Sequence, residues 1–223
     1  MTDVEDRIDL PTKPIPEPTL RRLPLYYQYL KKVRDEKKKD FISCTQIGND
    51  LSILPIQVRK DLGVAEAVGK PKLGYSVEEL ISTIEDFLGW NNTKDAYLVG
   101  VGHLGTALLG FERFKEYGLN IIAAFDIDKE KIGKTIHGVK VFHLGKLPNM
   151  VKRMGIKIGI LTVPAAPAQD LTNEMVNAGI RAIWNFSPVK VHVPSDIIVQ
   201  HENLASSLVV LAKKLTLARQ TQS

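Results

Sequence analysis

The sequence predicts an α/β protein with two domains, a small helical domain followed by a doubly wound parallel sheet. Three observations lead to this prediction. Residues 42–63 hold two short helical patterns separated by a turn, residues 98–111 read LVGVGHLGTALLGF with three glycines, and from residue 95 onward short apolar runs alternate with helical patterns. A chain of 223 residues is long enough to bury a core in each of two domains.

The first 19 residues are typical of an arm rather than of either domain. The opening stretch, MTDVEDRIDLPTKPIPEPTL, is acidic and has prolines at positions 11, 14, 16 and 18, so we expect a flexible, extended arm over residues 1–19. It lacks the charged tip and apolar segment of a signal peptide, and no apolar run reaches the roughly 20 residues of a membrane helix. We therefore expect a cytoplasmic protein with no membrane partner.

Residues 20–90 show the order of elements of a winged helix-turn-helix domain. LRRLPLYYQYLKKV spaces its apolar residues for a helix with Pro24 in its first turn, and RDEKKKD predicts a surface loop. Ser43 or Thr45 can cap a short helix, and after a turn Pro55 opens a second short helix that Gly63 ends. VGKPKLGYS suits the turn of a wing, and SVEELISTIEDFLGW is helical again.

Residues 91–202 alternate strand and helix patterns. The apolar runs AYLVG, IIAAFD, VKVF, KIGILTV, AIWNF and IIVQHE predict strands, with helices near 104–117, 145–154 and 166–178. This alternation predicts a doubly wound parallel sheet. A last helix with a broad apolar face, NLASSLVVLAKKLTLARQ, is expected within residues 203–223.

Charge and cysteine content narrow the possible functions. The net charge of +5 is concentrated in residues 20–75, which carry twelve basic and six acidic residues; such an excess suits a nucleic-acid partner but is also typical of a solvated face. Cys44 is the only cysteine, which excludes an internal disulfide, and we expect it to be a packing residue. The five histidines have no ligand-like spacing, so we expect no metal.

The glycines at 100, 102 and 105 have the spacing and the context of a dinucleotide-binding turn. They follow a strand and open a helix, and the third of them lies 21 residues before Asp126, which ends the next strand. Gly100 allows the tight turn, Gly102 lets the backbone approach a pyrophosphate, and Gly105 lets helix and strand pack closely. The Asp126 carboxylate can accept hydrogen bonds from ribose hydroxyls and would repel a 2′-phosphate, which favours NAD(H) over NADP(H).

The nicotinamide end is expected at the carboxyl ends of two later strands, where mainly apolar residues could strip water from the ring. Because the ring is cationic in NAD⁺ and neutral in NADH, such a pocket favours NADH. The predicted walls are Val163, Pro164, Phe186 and Pro188. The full set of predicted dinucleotide contacts is Gly100, Val101, Gly102, His103, Leu104, Gly105, Asp126, Thr162, Val163, Pro164, Asn185, Phe186, Ser187 and Pro188.

No residue is predicted to be catalytic. A dehydrogenase needs a proton donor beside the nicotinamide and a domain to hold its substrate. Only 38 residues follow Asn185, and most of them belong to a strand and the last helix. We therefore expect no catalytic role for the residues beside the nicotinamide.

Seven motifs together resemble the Rex family of redox-sensing transcriptional repressors over about residues 16–215. In order they are RRLPLYYQYL, QVRKDL, GYSVEEL, GVGHLGTAL, AFDID, ILTVPA and NFSPV. The resemblance implies an N-terminal winged helix, a C-terminal Rossmann domain, and a homodimer that exchanges its last helices. It also implies binding to operator DNA at low NADH and release when NADH rises.

Under this resemblance, the second short helix reads DNA. Gln57 and Arg59 have the groups to contact base edges, and Lys60 suits a phosphate; a charged helix face is otherwise simply solvated. Wing lysines could reach the minor groove or its phosphates. The complete set of expected DNA contacts is Thr45, Gln46, Gln57, Arg59, Lys60, Lys70 and Lys72.

The chain departs from the family pattern at two places. Many members couple their two domains through an arginine, a tyrosine and an aspartate, and the matching positions here hold Arg22, Phe111 and Asn203. The last two cannot supply a carboxylate to an arginine. The family wing, SYFGxFGKRGxGY, is replaced by GVAEAVGKPKLGY, which lacks the aromatic residues and has Pro71 in place of a basic residue.

Two other functions are compatible with parts of the pattern. One is a small NAD-dependent oxidoreductase with a helical appendage, which the missing substrate domain disfavours. The other is a CoA-binding Rossmann module with no role in DNA binding. Asp126 disfavours that function, since a CoA 3′-phosphate would meet a carboxylate where NAD places its ribose hydroxyls.

Overall fold

The structure is a computed structural model that describes residues 15–220. The chain divides into two compact units, residues 1–91 and residues 92–223, and each is described by itself. Most of the predicted arm, residues 1–14, lies outside the described residues, as do residues 221–223 of the predicted last helix. Within the described part, no helix is long and apolar enough to cross a membrane.

The N-terminal unit is the predicted winged helix-turn-helix. Its elements are α1 (Glu17–Lys32), β1 (Phe41–Ile42), α2 (Cys44–Leu51), α3 (Pro55–Val64), β2 (Tyr75–Ser76) and α4 (Val77–Leu88). Ser43 caps α2 by accepting a hydrogen bond from the Gln46 N–H at 3.1 Å. β1 and β2 pair antiparallel, and the wing turn closes where Lys70 and Gly74 form a β-bridge. The Cys44 side chain is buried, as expected for a packing residue.

α1 begins earlier than the sequence predicted. Pro16 is its N-cap and Glu17 lies in its first turn, so three residues assigned to the arm are helical. The proline-rich composition misled the prediction, because prolines are tolerated at the start of a helix. Pro24 consequently lies inside the helix instead of in its first turn.

Two helix ends also differ from the prediction. The charged stretch expected as a loop starts with a π-helical turn, Val33–Lys37, which ends where Lys38 takes a left-handed φ of 46°. α3 continues one residue beyond Gly63, because that glycine does not adopt the positive φ that would end the helix there.

All four helices contribute to the core of this unit. Apolar residues recur on one face of each helix, and their side chains are fully or almost fully buried. The most buried are Leu23, Tyr26, Leu30, Ile47, Val58, Leu62 and Ile84.

The C-terminal unit is the predicted doubly wound domain. Its strands are β3 (Lys94–Val99), β4 (Leu119–Asp126), β5 (Thr135–Ile136), β6 (Val139–His143), β7 (Ile158–Leu161), β8 (Ala182–Asn185) and β9 (Ile198–His201). Its helices are α5 (His103–Leu109), α6 (Leu147–Met154), α7 (Ala165–Ala178) and α8 (Leu204–Gln220). The sheet order within the described residues is β5-β6-β4-β3-β7-β8-β9, parallel except for β5.

This strand order places a topological switch between β3 and β7. From β3 the chain builds outward through β4 and β6, and it then returns to β7 and builds outward on the other side. Doubly wound proteins bind their ligands at such a point, outside the carboxyl ends of the strands. The glycine turn after β3 and the loop after β7 both lie at this edge.

Side chains of β3 alternate between two apolar clusters, as expected for a strand buried on both faces. Tyr97 and Val99 pack with residues of α6 and α7, whereas Ala96 and Leu98 pack with residues of α5. The predicted helix near 104–117 is interrupted, because α5 ends at Gly110 and a 3₁₀ turn, Glu112–Tyr117, follows.

α8 differs from the other helices, because its apolar side chains are not covered by its own chain. Those of Leu208, Val209, Val210, Leu211 and Leu215 are 54–66% exposed. The helix therefore presents an apolar surface that nothing in the described residues buries.

Candidate dinucleotide crevice and DNA-reading surface

The turn after β3 is a tight backbone structure that needs its glycines. Gly100 has a φ of 99°, and a Cβ there would lie 2.7 Å from Val163 Cγ1. A Cβ on Gly105 would collide with the Gly100 carbonyl oxygen. By contrast, a Cβ on Gly102 would meet nothing within 4 Å. The first and third glycines are thus required by the fold, and the second leaves open space beside the turn.

Asp126 faces the glycine turn from the end of β4. Its Oδ2 accepts a hydrogen bond from the Val101 N–H at 2.6 Å, and its Oδ1 accepts one from the Asp128 N–H at 2.9 Å. A carboxylate offers about four lone-pair positions, so both oxygens can still accept hydrogen bonds from a diol. Asp126 therefore lies directly beside the glycine turn, where a carboxylate that accepts ribose hydroxyls is predicted.

The side chain of Thr162 makes its hydrogen bonds to the backbone of the glycine turn. Its hydroxyl lies 2.5 Å from the Gly100 carbonyl oxygen and 3.1 Å from the Val99 carbonyl oxygen. It can donate its single proton to only one of them at a time. The residue was expected as a ligand contact, but its position is that of a clamp on the turn.

The loop after β8 is organised by Asn185, which is fully buried. Its amide nitrogen donates to the Val189 carbonyl at 2.8 Å and lies 2.9 Å from His201 Nδ1, while its oxygen accepts from the Ser187 N–H at 2.9 Å. All of these contacts are within the protein. Asn185 therefore shapes the loop, and a direct ligand contact through its side chain is not what the geometry favours.

Ser187 differs from its neighbours in this loop. Its residue is 5% exposed, and its hydroxyl is the one buried side-chain oxygen or nitrogen of the described residues that has no hydrogen-bond partner. An unpaired buried hydroxyl is costly unless another molecule supplies the missing bond. This observation fits a polar ligand group at the place predicted for the nicotinamide end.

The four predicted walls do not form one continuous apolar surface. Val163 packs against the cluster that contains Tyr97, whereas Phe186 packs against the opposite cluster and lies 4.7 Å, between ring centroids, from Trp184. Pro164 and Pro188 are exposed. The reason is the period of two in a strand, since Phe186 follows Asn185 directly and so faces the other side.

The outward face of α3 carries two of the predicted DNA contacts. Arg59 and Lys60 are exposed and form no ion pair with other described residues. Lys72 is exposed on the wing turn with a φ of 65°, and Lys70 lies 3.7 Å from Glu79. Thr45, on α2, is exposed. The arginine and the lysines of this surface suit the phosphates and base edges of DNA.

Two predicted DNA contacts make local bonds instead. Gln57 turns its amide to Asp61, with Nε2 to Oδ1 at 2.9 Å. Gln46 is half-buried and accepts from Lys39 Nζ at 3.5 Å. Their predicted role in reading DNA would require these side chains to leave their present partners.

The N-terminal unit contains a buried carboxylate that the sequence did not single out. Asp61 is fully buried, and its carboxylate accepts hydrogen bonds from four side chains on α1 and α3. The donors are Thr19 Oγ1 at 2.9 Å, Arg22 Nε at 2.6 Å and Nη2 at 2.9 Å, Tyr26 OH at 2.7 Å and Gln57 Nε2 at 2.9 Å. Its position among the apolar residues of α3, three after Val58, is the signal that could have revealed it.

These bonds set the ionisation of the group. Burial by itself would raise the pKa of Asp61, but the hydrogen bonds, that of Arg22 first, lower it to about 2. The same pair raises the pKa of the Arg22 guanidinium. Arg22 was expected to couple the two domains, whereas its observed partner is Asp61.

The other two positions expected to couple the domains also have local roles. Phe111 is 44% exposed and packs edge to face against Phe114, with ring centroids 4.8 Å apart. Asn203 caps α8, since its Oδ1 accepts from the N–H groups of Ala205 and Ser206 at 3.0 and 3.2 Å. Within the described residues, no group of three or more His, Cys, Asp or Glu side chains is arranged to hold a metal.

Comparison with known proteins gives a family match for each of the two units. Residues 91–189 match the family model described as "CoA binding domain", and residues 14–63 match "Putative DNA-binding protein N-terminus". The chain is 52% identical over 194 residues to the redox-sensing transcriptional repressor Rex of Treponema denticola, which covers 87% of this chain and 92% of that relative.

Solved structures of the Rex-family repressor RSP have the same fold. The complex of RSP with β-NAD⁺ and operator DNA aligns with a TM-score of 0.85 and 31% identity, over 94% of this chain and 96% of RSP. The complex with β-NADH aligns with a TM-score of 0.84 and 30% identity, over 94% and 98%. Given this identity and coverage, the chain belongs to the Rex family of redox-sensing transcriptional repressors.

Proposed function

We propose that this chain binds palindromic operator DNA as a repressor and is released from it when NADH rises relative to NAD⁺. The observation that carries the proposal is the Asp126 carboxylate, 2.6 Å from the Val101 N–H of the glycine turn. This arrangement suits the adenosine end of a nicotinamide dinucleotide. The structures of RSP with NADH, with NAD⁺ and with operator DNA support the same pair of ligands for this chain.

The turn suits a dinucleotide, and Asp126 favours NAD(H) over NADP(H). The open space at Gly102 lets a pyrophosphate approach the backbone without meeting a side chain. Asp126 can accept the ribose hydroxyls, and its negative charge would repel the 2′-phosphate of NADP(H). Thr162 holds the turn in shape from the neighbouring strand end.

The loop after β8 supplies the preference for the reduced form. Ser187 is almost fully buried, so a nicotinamide ring held beside it loses much of its water. Removing water from a cationic ring costs more than removing it from a neutral ring, so NADH binds more tightly than NAD⁺. A difference of about 10⁴-fold between two protein states would shift a population from 99:1 to 1:99.

DNA recognition and dimer formation belong to the same proposal. Arg59 and Lys60 on α3 face outward and can enter a major groove, and a two-fold dimer would present two such helices to a palindrome. The exposed apolar side chains of α8 support a homodimer in which that helix packs on the second subunit. A bacterial repressor meets its operator in the cytoplasm, and we propose that location.

We further propose that the chain is not an enzyme. His192 and His201 are the histidines that follow Asn185, and neither is set up as a proton donor. His201 Nδ1 is paired with the Asn185 amide at 2.9 Å, and the exposed His192 is attached to Gln169 through its backbone N–H at 2.8 Å. These contacts support a structural role for the His201 ring and for the His192 backbone.

One observation favours a second candidate, a CoA-binding module, because the C-terminal unit matches a family model of that description. Asp126 argues against it, since the carboxylate occupies the turn that would face a phosphorylated ribose. Mass spectrometry of the nucleotide that copurifies with the chain separates the two: NAD(H) supports the repressor, and CoA supports the module.

The direct test is fluorescence anisotropy with a palindromic AT-rich duplex. We expect the chain to bind the duplex and to be released by NADH at a much lower concentration than by NAD⁺. Indifference to both nucleotides would contradict the sensing role. Steady oxidation of NADH by the purified chain with a small carbonyl compound would instead favour the oxidoreductase.

A further inference from the structure

The outward face of α3 is partly apolar. Residues 56, 59, 60 and 63, spaced as one face of a helix, are all exposed. Arg59 and Lys60 give this face its charge, but Ile56 at its N-terminal end is 57% exposed, and Leu54 just before the helix is 72% exposed. More than half of the Ile56 residue surface is thus exposed to water, on the same helix face as the exposed Arg59 and Lys60.

Gly63, at the other end of this face, is unexplained by the fold. A Cβ there would meet nothing within 4 Å, and its φ is not positive. Glycine destabilises a helix relative to alanine, so neither packing nor backbone conformation accounts for it. A missing side chain on an outward face is what close approach to another molecule requires.

The glutamine that the sequence suggested as a base reader faces the other way. Gln57 is half-buried and bonded to Asp61 at 2.9 Å, inside the carboxylate network. The most exposed residues at the N-terminal end of α3 are Ile56 and, just before the helix, Leu54. In a helix-turn-helix, that end of the second helix contacts the base edges.

Double-stranded DNA fits this combination of charge and apolar surface. Arg59 and Lys60 attract the phosphates, and the only apolar group that base pairs display in the major groove is the C5-methyl of thymine. We propose that Ile56 is a specificity-determining residue that contacts a thymine methyl in the operator, with Leu54 beside it. This inference rests on the proposed repressor function.

The test removes the methyl from the DNA and the side chain from the protein in turn. The duplex is a palindromic AT-rich site that the full chain selects from a random pool, and each thymine is replaced singly by deoxyuridine. Ile56→Ala is compared with wild type by fluorescence anisotropy. Leu25→Ala is the matched control, since Leu25 is an aliphatic residue of α1 that is 50% exposed.

At one thymine in each half-site, deoxyuridine should weaken wild-type binding by about fourfold, the worth of one buried methyl. Ile56→Ala should weaken binding by at least about fourfold and become insensitive to deoxyuridine at that position, while Leu25→Ala behaves as wild type. Wild-type binding that ignores every replacement, or an Ile56→Ala protein that keeps the full sensitivity, would overturn the inference. Failure of wild type to select any DNA would overturn the repressor function itself.

Discussion

Replacing Asp61 by asparagine should strongly destabilise the N-terminal unit. The variant keeps the size of the side chain but removes the charge that pairs with Arg22 and accepts bonds from Thr19, Tyr26 and Gln57. Breaking a buried pair from one side costs about 3–5 kcal/mol, because a charge is left without its partner. The Arg22 side chain is 25% exposed and can regain some water, so we expect about 3 kcal/mol.

The acid dependence of stability gives a second value for the contribution of the Asp61 carboxylate to the free energy of unfolding. Its pKa is about 2 in the folded chain, and an unfolded aspartate has a pKa of about 3.9, so ionisation of Asp61 contributes about 2–3 kcal/mol near neutral pH. Because the folded pKa is the lower one, this contribution is complete above about pH 4 and is lost as the pH falls toward about 2. The variant should lack this part of the acid dependence.

Urea unfolding from pH 7 to pH 2 measures both effects. Trp90 packs edge to face against Tyr27 in the N-terminal unit, with ring centroids 4.9 Å apart, so its fluorescence in a Trp184→Phe background follows that unit. The control is Asp50→Asn, an exposed acid of the same unit that pairs with Lys37, and it should change the free energy of unfolding far less. An Asp61→Asn protein within about 0.5 kcal/mol of wild type, or one with the same acid dependence, would refute the reasoning.

Three further predictions concern the crevice. Gly102→Ala should abolish NADH binding in calorimetry while the melting temperature falls little. Gly105→Ala should lose both binding and stability, because its Cβ collides with the turn. Normal NADH binding by Gly102→Ala would contradict the placement of the pyrophosphate. Ser187→Ala should weaken NADH binding by about tenfold without loss of melting temperature, and a destabilised variant would show that the hydroxyl has a partner in the protein. Thr162→Val should lower stability by about 1 kcal/mol and weaken NADH binding, since the bond to Gly100 is lost; unchanged values for both would show that the clamp is unimportant.

The sequence predicted the order of elements and the glycine turn well because both depend on local pattern. Apolar runs of six strands, a capping serine before α2 and a glycine spacing are visible in short windows of the chain. The backbone requires Gly100 and Gly105, as predicted, whereas Gly102 leaves open space whose use by a pyrophosphate stays a prediction.

The parts that the sequence could not predict depend on distant partners. Asp61 is bonded to Thr19 and Tyr26, which precede it by 42 and 35 residues, and no local pattern reports such pairs. The same network holds the Gln57 and Arg22 side chains in bonds to Asp61 that the sequence did not predict, while their roles in DNA binding and domain coupling stay predictions. The apolar wall, however, could have been corrected from sequence, because Phe186 and Asn185 are neighbours on a strand end and face opposite sides.

In the proposed homodimer, the uncovered apolar surface of α8 would make the response of the sensor depend on how much of the protein a cell makes. The five large side chains that a lone subunit leaves in water, Leu208 to Leu211 and Leu215, would be buried against a second chain, and that encounter would follow mass action. Gene dosage would then set how many sensors are assembled. A cell with few copies would read its redox state with a weaker response than one with many.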